Sequence, residues 1–597
     1  MINPNDRSVL TDALTPPAGF EFDAGFISTY SLDLVTLLGL PLHLAWMASA
    51  AQGEGPPEPL AVIESMRRVA GRLTVFCQKA RIHAPRIASP LLGLVEPMVR
   101  EVVPPHGGVF HPKVWLLKFR RPDSNEAKLI LMVSSRNLTE DASWDVCLRL
   151  EGRQGKKSVR GNSDIARLIR HAVDRTTKAL PSARREELHA LADAAACAEW
   201  DVPAKFDSVQ FHLLGAGAKR KSWLPAPPQG TWDSLGVVSP FVERDALTRL
   251  AEASRKPLFV VSRQESLQKI AALPDGFNYK TLDAQAGVDD EADDDPDRDR
   301  GLHAKIFVAK RGWNTHLFVG SANATNAALV AGINTEFMAE LVGSANASKK
   351  AGLPEALIME DGLGPLLRDF ERTETAATEE DAAEQLLERT RDALAASRLR
   401  LDCVRDESEW AMNLSGTSDL QIGNVEIAAW PVTVGKERAL SITSPGAGIA
   451  FRGLLAHEIT SLMAFRLRCQ GAELSFTLDL ELDGAPPDRD LEILRAAVKN
   501  RDNFIRYLQL LLGDWQSFGD GGGKRRKGNG AGASADDTVP LFELMVRSLA
   551  HDPARLGNIA QVVERLRQEG SDGETVIPPE FMAIWANFES VLKEVQA

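Results

Sequence analysis

One short pattern occurs twice in this chain of 597 residues, in the same order each time. The first copy runs His111-Pro112-Lys113, an apolar stretch, then Ser134-Ser135-Arg136-Asn137. The second runs His303-Ala304-Lys305, an apolar stretch, then Gly320-Ser321-Ala322-Asn323. An acid follows each copy, Asp145 after the first and Glu336 after the second. The surroundings repeat as well. Residues 26–33 resemble 237–242, and the apolar run 73–76 matches 258–261. Order and spacing repeat together, which implies an α/β fold built from two homologous halves.

The apolar runs at 114–117, 129–133, 306–308 and 316–319 are nearly continuous. Such runs suit strands of a sheet covered on both faces. On a strand, residues i and i+2 share a face, so His111 and Lys113 can meet one ligand, as can His303 and Lys305. The small residues before each Asn permit a tight turn. Helices are expected at 164–196, 244–253 and 379–398. Alternation at 420–430, 439–443 and 472–482 points to a β-rich module, with helices after 488. The expected divisions are 1–205, 206–398, 399–486 and 487–597. A Gly/Ala-rich stretch at 519–537 holding Lys524-Arg525-Arg526-Lys527 is expected to be a disordered loop. The acid-dense run 289–300, just before His303, is either a solvated loop or an electrostatic gate.

Five scattered cysteines without a CxxC pair argue against a disulfide framework and a zinc site, and fit a reducing cytoplasm. The chain opens without a basic segment leading into an apolar core, so no leader is expected. The apolar stretch 32–51 is broken by Asp33, Pro41 and His43, which favours a buried helix over a membrane span. A net charge of −13 counts against a uniformly basic nucleic-acid binder. Residues 149–185 are nonetheless rich in Arg and Lys, forming either a solvated helical face or a nucleic-acid track.

The paired residues form a phosphate-handling set. Cleaving a phosphodiester needs a nucleophile at phosphorus and an acid for the leaving oxygen, and two histidines supply both. An imidazole with a pKa near ~6.5 serves either role. Lys113, Lys305, Asn137 and Asn323 offer donors where negative charge builds. Asp145 and Glu336 can hold the far ring nitrogens. Ser135 and Ser321 either contact phosphate or orient the acids, and Arg136 either contacts phosphate or caps its turn. None of this needs a metal or a cofactor. The other histidines (His43, His83, His106, His171, His189, His212, His316, His457 and His551) lack a partner pattern and read as structural or exposed.

These motifs resemble the phospholipase D superfamily signature of HxK, a spacer, GSxN and a downstream acid. The resemblance spans roughly residues 20–345. Its first copy is looser, with Ser134-Ser135 in place of Gly-Ser. Many members carry an Asp five positions after the Lys, where this chain has Lys118 and Lys310. That absence resembles the tyrosyl-DNA phosphodiesterase branch and some bacterial nucleases. The resemblance implies a pseudo-twofold site between phospholipase D-like halves, a phosphohistidine intermediate and no metal. It also implies His111 as nucleophile and His303 as general acid. Without a membrane anchor and with added modules, the expectation is a cytoplasmic DNA nuclease of restriction or phage defence. A helicase-like or other defence-system partner fits that setting, and the oligomeric state stays open. The alternatives are a protein–DNA adduct phosphodiesterase, a phospholipid phosphodiesterase, or a non-catalytic nucleic-acid-binding subunit.

Overall fold

The computed structural model describes residues 15–41, 69–283, 300–346, 352–373, 380–417 and 424–490, apart from isolated positions, plus five residues beyond. The expected helical module after 487, the 519–537 loop and the acidic run up to residue 299 lie outside the described residues, but for residues 489 and 490 and those five.

The architecture is mixed α/β with several sheets. The first sheet contains β1 (Glu21–Thr29), β2 (Leu73–Gln78), β3 (Val99–Val102), β4 (Val114–Arg120), β5 (Ala127–Ser134), β7 (Cys147–Gln154) and β8 (Ala198–Trp200). A short strand, β6 (Ala142–Trp144), lies outside it. The order is β3-β2-β1-β4-β5-β7-β8, with β1, β2 and β3 parallel and the rest antiparallel. The second sheet contains β9 (Ser208–Leu214), β10 (Ser234–Val238), β11 (Pro257–Val261), β12 (Asn278–Leu282), β14 (Ile306–Arg311), β15 (Asn314–Gly320), β16 (Glu336–Ser344) and β17 (Leu367–Asp369). Its order is β17-β12-β11-β10-β14-β15-β16-β9, and β10, β11 and β12 are parallel. The run β3-β2-β1-β4-β5-β7 thus corresponds in order and direction to β12-β11-β10-β14-β15-β16.

The continuous apolar strands are covered on both faces. From β4, Trp115, Leu117 and Phe119 enter one core, while Val114 and Leu116 enter another. From β14, Phe307 and Ala309 face an outer core, and Ile306 and Val308 face inward. The inward residues of both sheets belong to one shared core, so the sheets stack on each other. Helices α1 (Ser163–Asp174) and α2 (Ser182–Ala196) add Ile165, Leu168, Leu188 and Leu191 to it. The stretch expected to be helical over 164–196 holds two helices, the first ending at Asp174 and the second starting at Ser182 after Pro181. Each large side chain buried there stabilises the stack by about 1.5–3 kcal/mol.

Helices α3 (Arg244–Glu252) and α4 (Gln264–Gln268) accompany the second sheet, and α5 (Glu380–Ala396) follows it. Beyond lie β18 (Arg400–Asp406), β19 (Glu409–Ser415), β20 (Glu426–Pro431), β21 (Leu440–Ser441), β22 (Ile449–Leu454), β23 (Leu462–Cys469), β24 (Ala472–Asp479) and β25 (Glu481–Asp483). They form two four-stranded sheets, β22-β19-β18-β25 and β21-β20-β23-β24, around a common core. Helix α5 closes that core with Leu387 and Leu394. Among the described residues, no helix is long and apolar enough to cross a membrane.

Candidate active site

The two HxK segments do not lie on strands, as the sequence reading placed them. Both are extended segments leading into β4 and β14. The reason is that each lead-in pairs with a segment outside its own sheet. Phe110 bridges Thr335 in parallel, with His111 N donating to Thr335 O at 2.9 Å. The strand β13 (Arg300–Leu302) pairs with β6 in parallel, Leu302 opposite Trp144, and His303 N donates to Trp144 O at 2.9 Å. In each case the residue after the pair is a histidine on one chain and an acid on the other.

That register exchanges the acids. His111 Nδ1 lies 2.8 Å from Glu336 Oε2, and His303 Nδ1 lies 3.0 Å from Asp145 Oδ1. Both serines contact the acids. Ser135 Oγ donates to Asp145 Oδ1 at 2.9 Å, and Ser321 Oγ donates to Glu336 Oε2 at 2.5 Å. Each hydroxyl also accepts the N–H of the residue after its acid, Val146 at 2.9 Å and Phe337 at 3.0 Å. Asn334 adds a donor to Glu336 Oε1 at 3.3 Å, while its own oxygen accepts Val109 N at 3.2 Å.

The lysines are buried, Lys113 at 1% and Lys305 at 0% exposure. Each donates to the carbonyl of its own histidine, at 3.0 Å for Lys113 and 2.7 Å for Lys305. Both histidines are lowered to about 4. For His111 burial is the main cause, partly offset by Glu336 and reinforced by Lys113 and Lys305. For His303 burial leads again, then Lys305, with Asp145 opposing and Lys113 adding. Each lysine thus acts on both histidines, which places the four groups in one electrostatic neighbourhood. Burial pushes the Asp145 carboxyl up, but the His303 hydrogen bond and the surrounding cations, Arg136 among them, outweigh it and hold it below its ordinary value. Arg136 also reaches Thr139 O at 3.5 Å.

Asn137 and Asn323 sit on equivalent turns. The next residue's N–H, Leu138 or Ala324, donates at 2.9 Å to Thr29 or Ser239. Both hydroxyls in turn donate at 2.7 Å, Thr29 to Ser31 O and Ser239 to Phe241 O. The side-chain oxygens of Asn137 and Asn323 are buried and accept no hydrogen bond. A buried carbonyl oxygen without a partner costs stability.

Sequence reasoning missed Thr29, Ser239, Asn334 and Tyr30. The Tyr30 ring meets the His111 ring edge-on, with centroids 5.3 Å apart. The hydroxyls at 29 and 239 left a faint signal, since Thr29 ends the first strand of its repeat and Ser239 directly follows the corresponding one. His212 and His316, read as structural or exposed, both bond Glu340 at 2.7 Å. Burial pushes that carboxyl up, but the two imidazoles prevail and bring it to about 2. Their rings pack on Trp223, Trp232 and Phe318, with the outer core of the second sheet. Among the described residues, no group of three or more His, Cys, Asp and Glu is placed to hold a metal ion.

No family model matches the chain, and no curated protein does. Among solved structures, it is similar to a yeast tyrosyl-DNA phosphodiesterase mutant, at 12% identity and a TM-score of 0.33, covering 59% of this chain and 88% of that one. It is also similar to a polyphosphate kinase from Porphyromonas gingivalis, at 14% identity and a TM-score of 0.32, covering 64% of this chain. The match spans half of the kinase's length, 50%.

Proposed function

We propose that this chain is a phosphodiesterase of the phospholipase D type, acting on DNA through a covalent phosphohistidine. In this reading residues 1–205 and 206–398 are homologous halves related by a pseudo-twofold axis through the site. The observation that carries it is the exchanged pair of imidazole–carboxylate contacts, His111–Glu336 and His303–Asp145. A carboxylate at Nδ1 fixes the tautomer that leaves Nε2 as the reactive nitrogen.

The steps follow. Nε2 of His111 attacks phosphorus, and the bond to the leaving oxygen breaks. That oxygen takes the proton from His303 Nε2. Water then attacks the phosphohistidine while His303 accepts its proton, and the phosphorus–nitrogen bond breaks. Burial and the neighbouring lysines lower both rings to about 4, which favours the neutral imidazoles. An anionic phosphodiester raises His303 and lets it carry the proton. Lys113, Lys305, Asn137 and Asn323 bind the phosphoryl oxygens, and no step calls for a metal ion.

The test is cleavage of labelled single- and double-stranded DNA in EDTA. Cleavage that persists in EDTA and is lost in His111→Ala and in His303→Ala supports this reading. Cleavage that needs metal and survives both substitutions overturns it.

A further inference from the structure

A ladder of backbone bridges joins the paired four-stranded sheets to the turn that carries Asn137. Thr477 of β24 bridges Ile82, Ile82 bridges Leu32, and Leu32 bridges Leu138, the residue after Asn137. Thr477 N donates to Ile82 O at 2.7 Å, His83 N to Leu32 O at 2.8 Å, and Asp33 N to Leu138 O at 2.8 Å. In the second repeat Val242 bridges Ala324, and among the described residues no rung ties it to those sheets.

The middle of the ladder adjoins an uncommon backbone. Ala80 takes a φ of 60°, a left-handed conformation that a residue with a Cβ seldom adopts. Such a backbone persists where its surroundings over-determine it. Ala80 is buried in the core of the paired sheets, and its N–H donates at 2.8 Å to buried Glu101 of β3. Glu101 in turn accepts Asp479 N, from β24, at 3.2 Å. The turn from which Arg81 projects is thus held from both sides.

Arg81 connects α5 to the site. Its Nη2 donates at 3.1 Å to Glu388 Oε2 of that helix, and Nη1 of buried Arg391 donates at 2.6 Å to Glu388 Oε1. The Arg81 guanidinium lies 5.2 Å from the centroid of the Tyr30 ring, and that ring meets His111 edge-on at 5.3 Å. Glu388, Arg81, Tyr30 and His111 therefore touch in series. The ion pair is partly open, with side-chain exposures of 27% for Arg81 and 44% for Glu388. A pair that open adds little to stability, so its loss should be read in the site and not in the fold.

We infer that Arg81 and Glu388 are positioning residues through which α5 sets the His111 ring: Glu388 anchors the guanidinium, the guanidinium holds the Tyr30 ring, and the edge of that ring keeps His111 Nδ1 turned to Glu336. This rests on the phosphodiesterase reading above and deepens it, because the attacking histidine then depends on a helix outside both repeated motifs.

The test takes two readouts on Arg81→Ala and Glu388→Ala. The first is the burst of p-nitrophenolate from thymidine 5′-(p-nitrophenyl phosphate), which reports attack by His111. Each variant should slow the burst by about 10- to 100-fold with little change in KM. The double variant should be no slower than Arg81→Ala, because the two residues act in series. Arg81→Lys, which keeps a cation over the ring, should recover most of the rate. The second readout needs no turnover: carbethoxylation of each histidine by diethyl pyrocarbonate, followed by peptide mass. His111 should react faster in both variants, and His303 at the parent rate. Glu473→Ala, which breaks the Arg468–Glu473 pair within the same sheets, should change neither readout. Glu388→Gln replaces Glu388→Ala if the latter does not fold. An equal opening of both histidines would overturn the inference. Release of p-nitrophenolate by the parent protein, with neither readout changed in the variants, would overturn the positioning alone. No release by the parent, with His111 selectively opened in the variants, would uphold the positioning and overturn the hydrolytic reading.

Discussion

Glu336 Oε2 lies 2.8 Å from His111 Nδ1, although Glu336 opens a strand of the second sheet and His111 leads into a strand of the first. The contact follows from backbone register, because Phe110 bridges Thr335 one residue earlier on each chain. Leu302 opposite Trp144 does the same for His303 and Asp145. Each imidazole thus takes its carboxylate contact from a segment that its own lead-in pairs with.

On the proposed mechanism this exchange pairs Glu336 with the attacking histidine and Asp145 with the general acid. Glu336→Gln should slow attack on phosphorus by about 10²–10⁴-fold whatever the leaving group. Asp145→Asn should slow release of an alkoxide by a similar factor but spare release of p-nitrophenolate, which needs no proton. Burst kinetics with both substrate types distinguish them: Asp145→Asn should show a p-nitrophenolate burst, and Glu336→Gln none.

The low histidine values set the pH dependence of kcat/KM, which reports the free enzyme. His111 attacks when neutral, so with a p-nitrophenyl diester the rate should rise through about 4 and then stay flat. His303 must be protonated to expel an alkoxide, and its value is also about 4. With a dinucleoside phosphate the rate should therefore fall by up to about tenfold per pH unit above that value. Parallel pH series on the two substrates check this.

The two turns tolerate different residues. A side chain at Gly320 would set its Cβ 2.2 Å from Phe337 O, against backbone that cannot swing away. At the equivalent place Ser134 Oγ accepts Arg136 N at 2.9 Å, where the second copy uses Met338 Sδ for Ala322 N at 3.4 Å. Gly320→Ser should cost about 1–3 kcal/mol or prevent folding, and Ser134→Gly about 0.5–1.5 kcal/mol. Urea midpoints of the two variants test the order.

Ser321→Ala removes the donor to buried Glu336 and the acceptor of Phe337 N together. An unsatisfied buried group costs about 1–3 kcal/mol. The variant should lose stability on that scale and lose kcat more than it changes KM, because the acid it orients acts on the reacting imidazole. Urea denaturation and steady-state rates provide both numbers.

Much of this was legible in the residues. His111, Lys113, Asn137 and their second-copy counterparts stand out because the same types recur in the same order, and the continuous apolar strands announced a sheet covered on both sides. The exchange of acids was not legible, since it depends on how Phe110 meets Thr335 and Leu302 meets Trp144, a register between sheets. Local periodicity carries no information about that. Thr29 and Ser239 were hidden because they differ in type and act through hydroxyls on a neighbouring turn. The HxK segments looked like strand because they lead straight into one. Their lead-in residues pair elsewhere, and only the tertiary arrangement reveals it.

The most direct measurement is to trap the covalent intermediate. His303→Ala should react once with radiolabelled thymidine 5′-(p-nitrophenyl phosphate), release one equivalent of p-nitrophenolate, and then stall for want of a base to activate water. The stalled protein should carry an alkali-stable, acid-labile label on the peptide containing His111, absent from the His111→Ala, His303→Ala double variant. Label on another residue, or turnover without any covalent label in both proteins, would contradict the two-histidine mechanism.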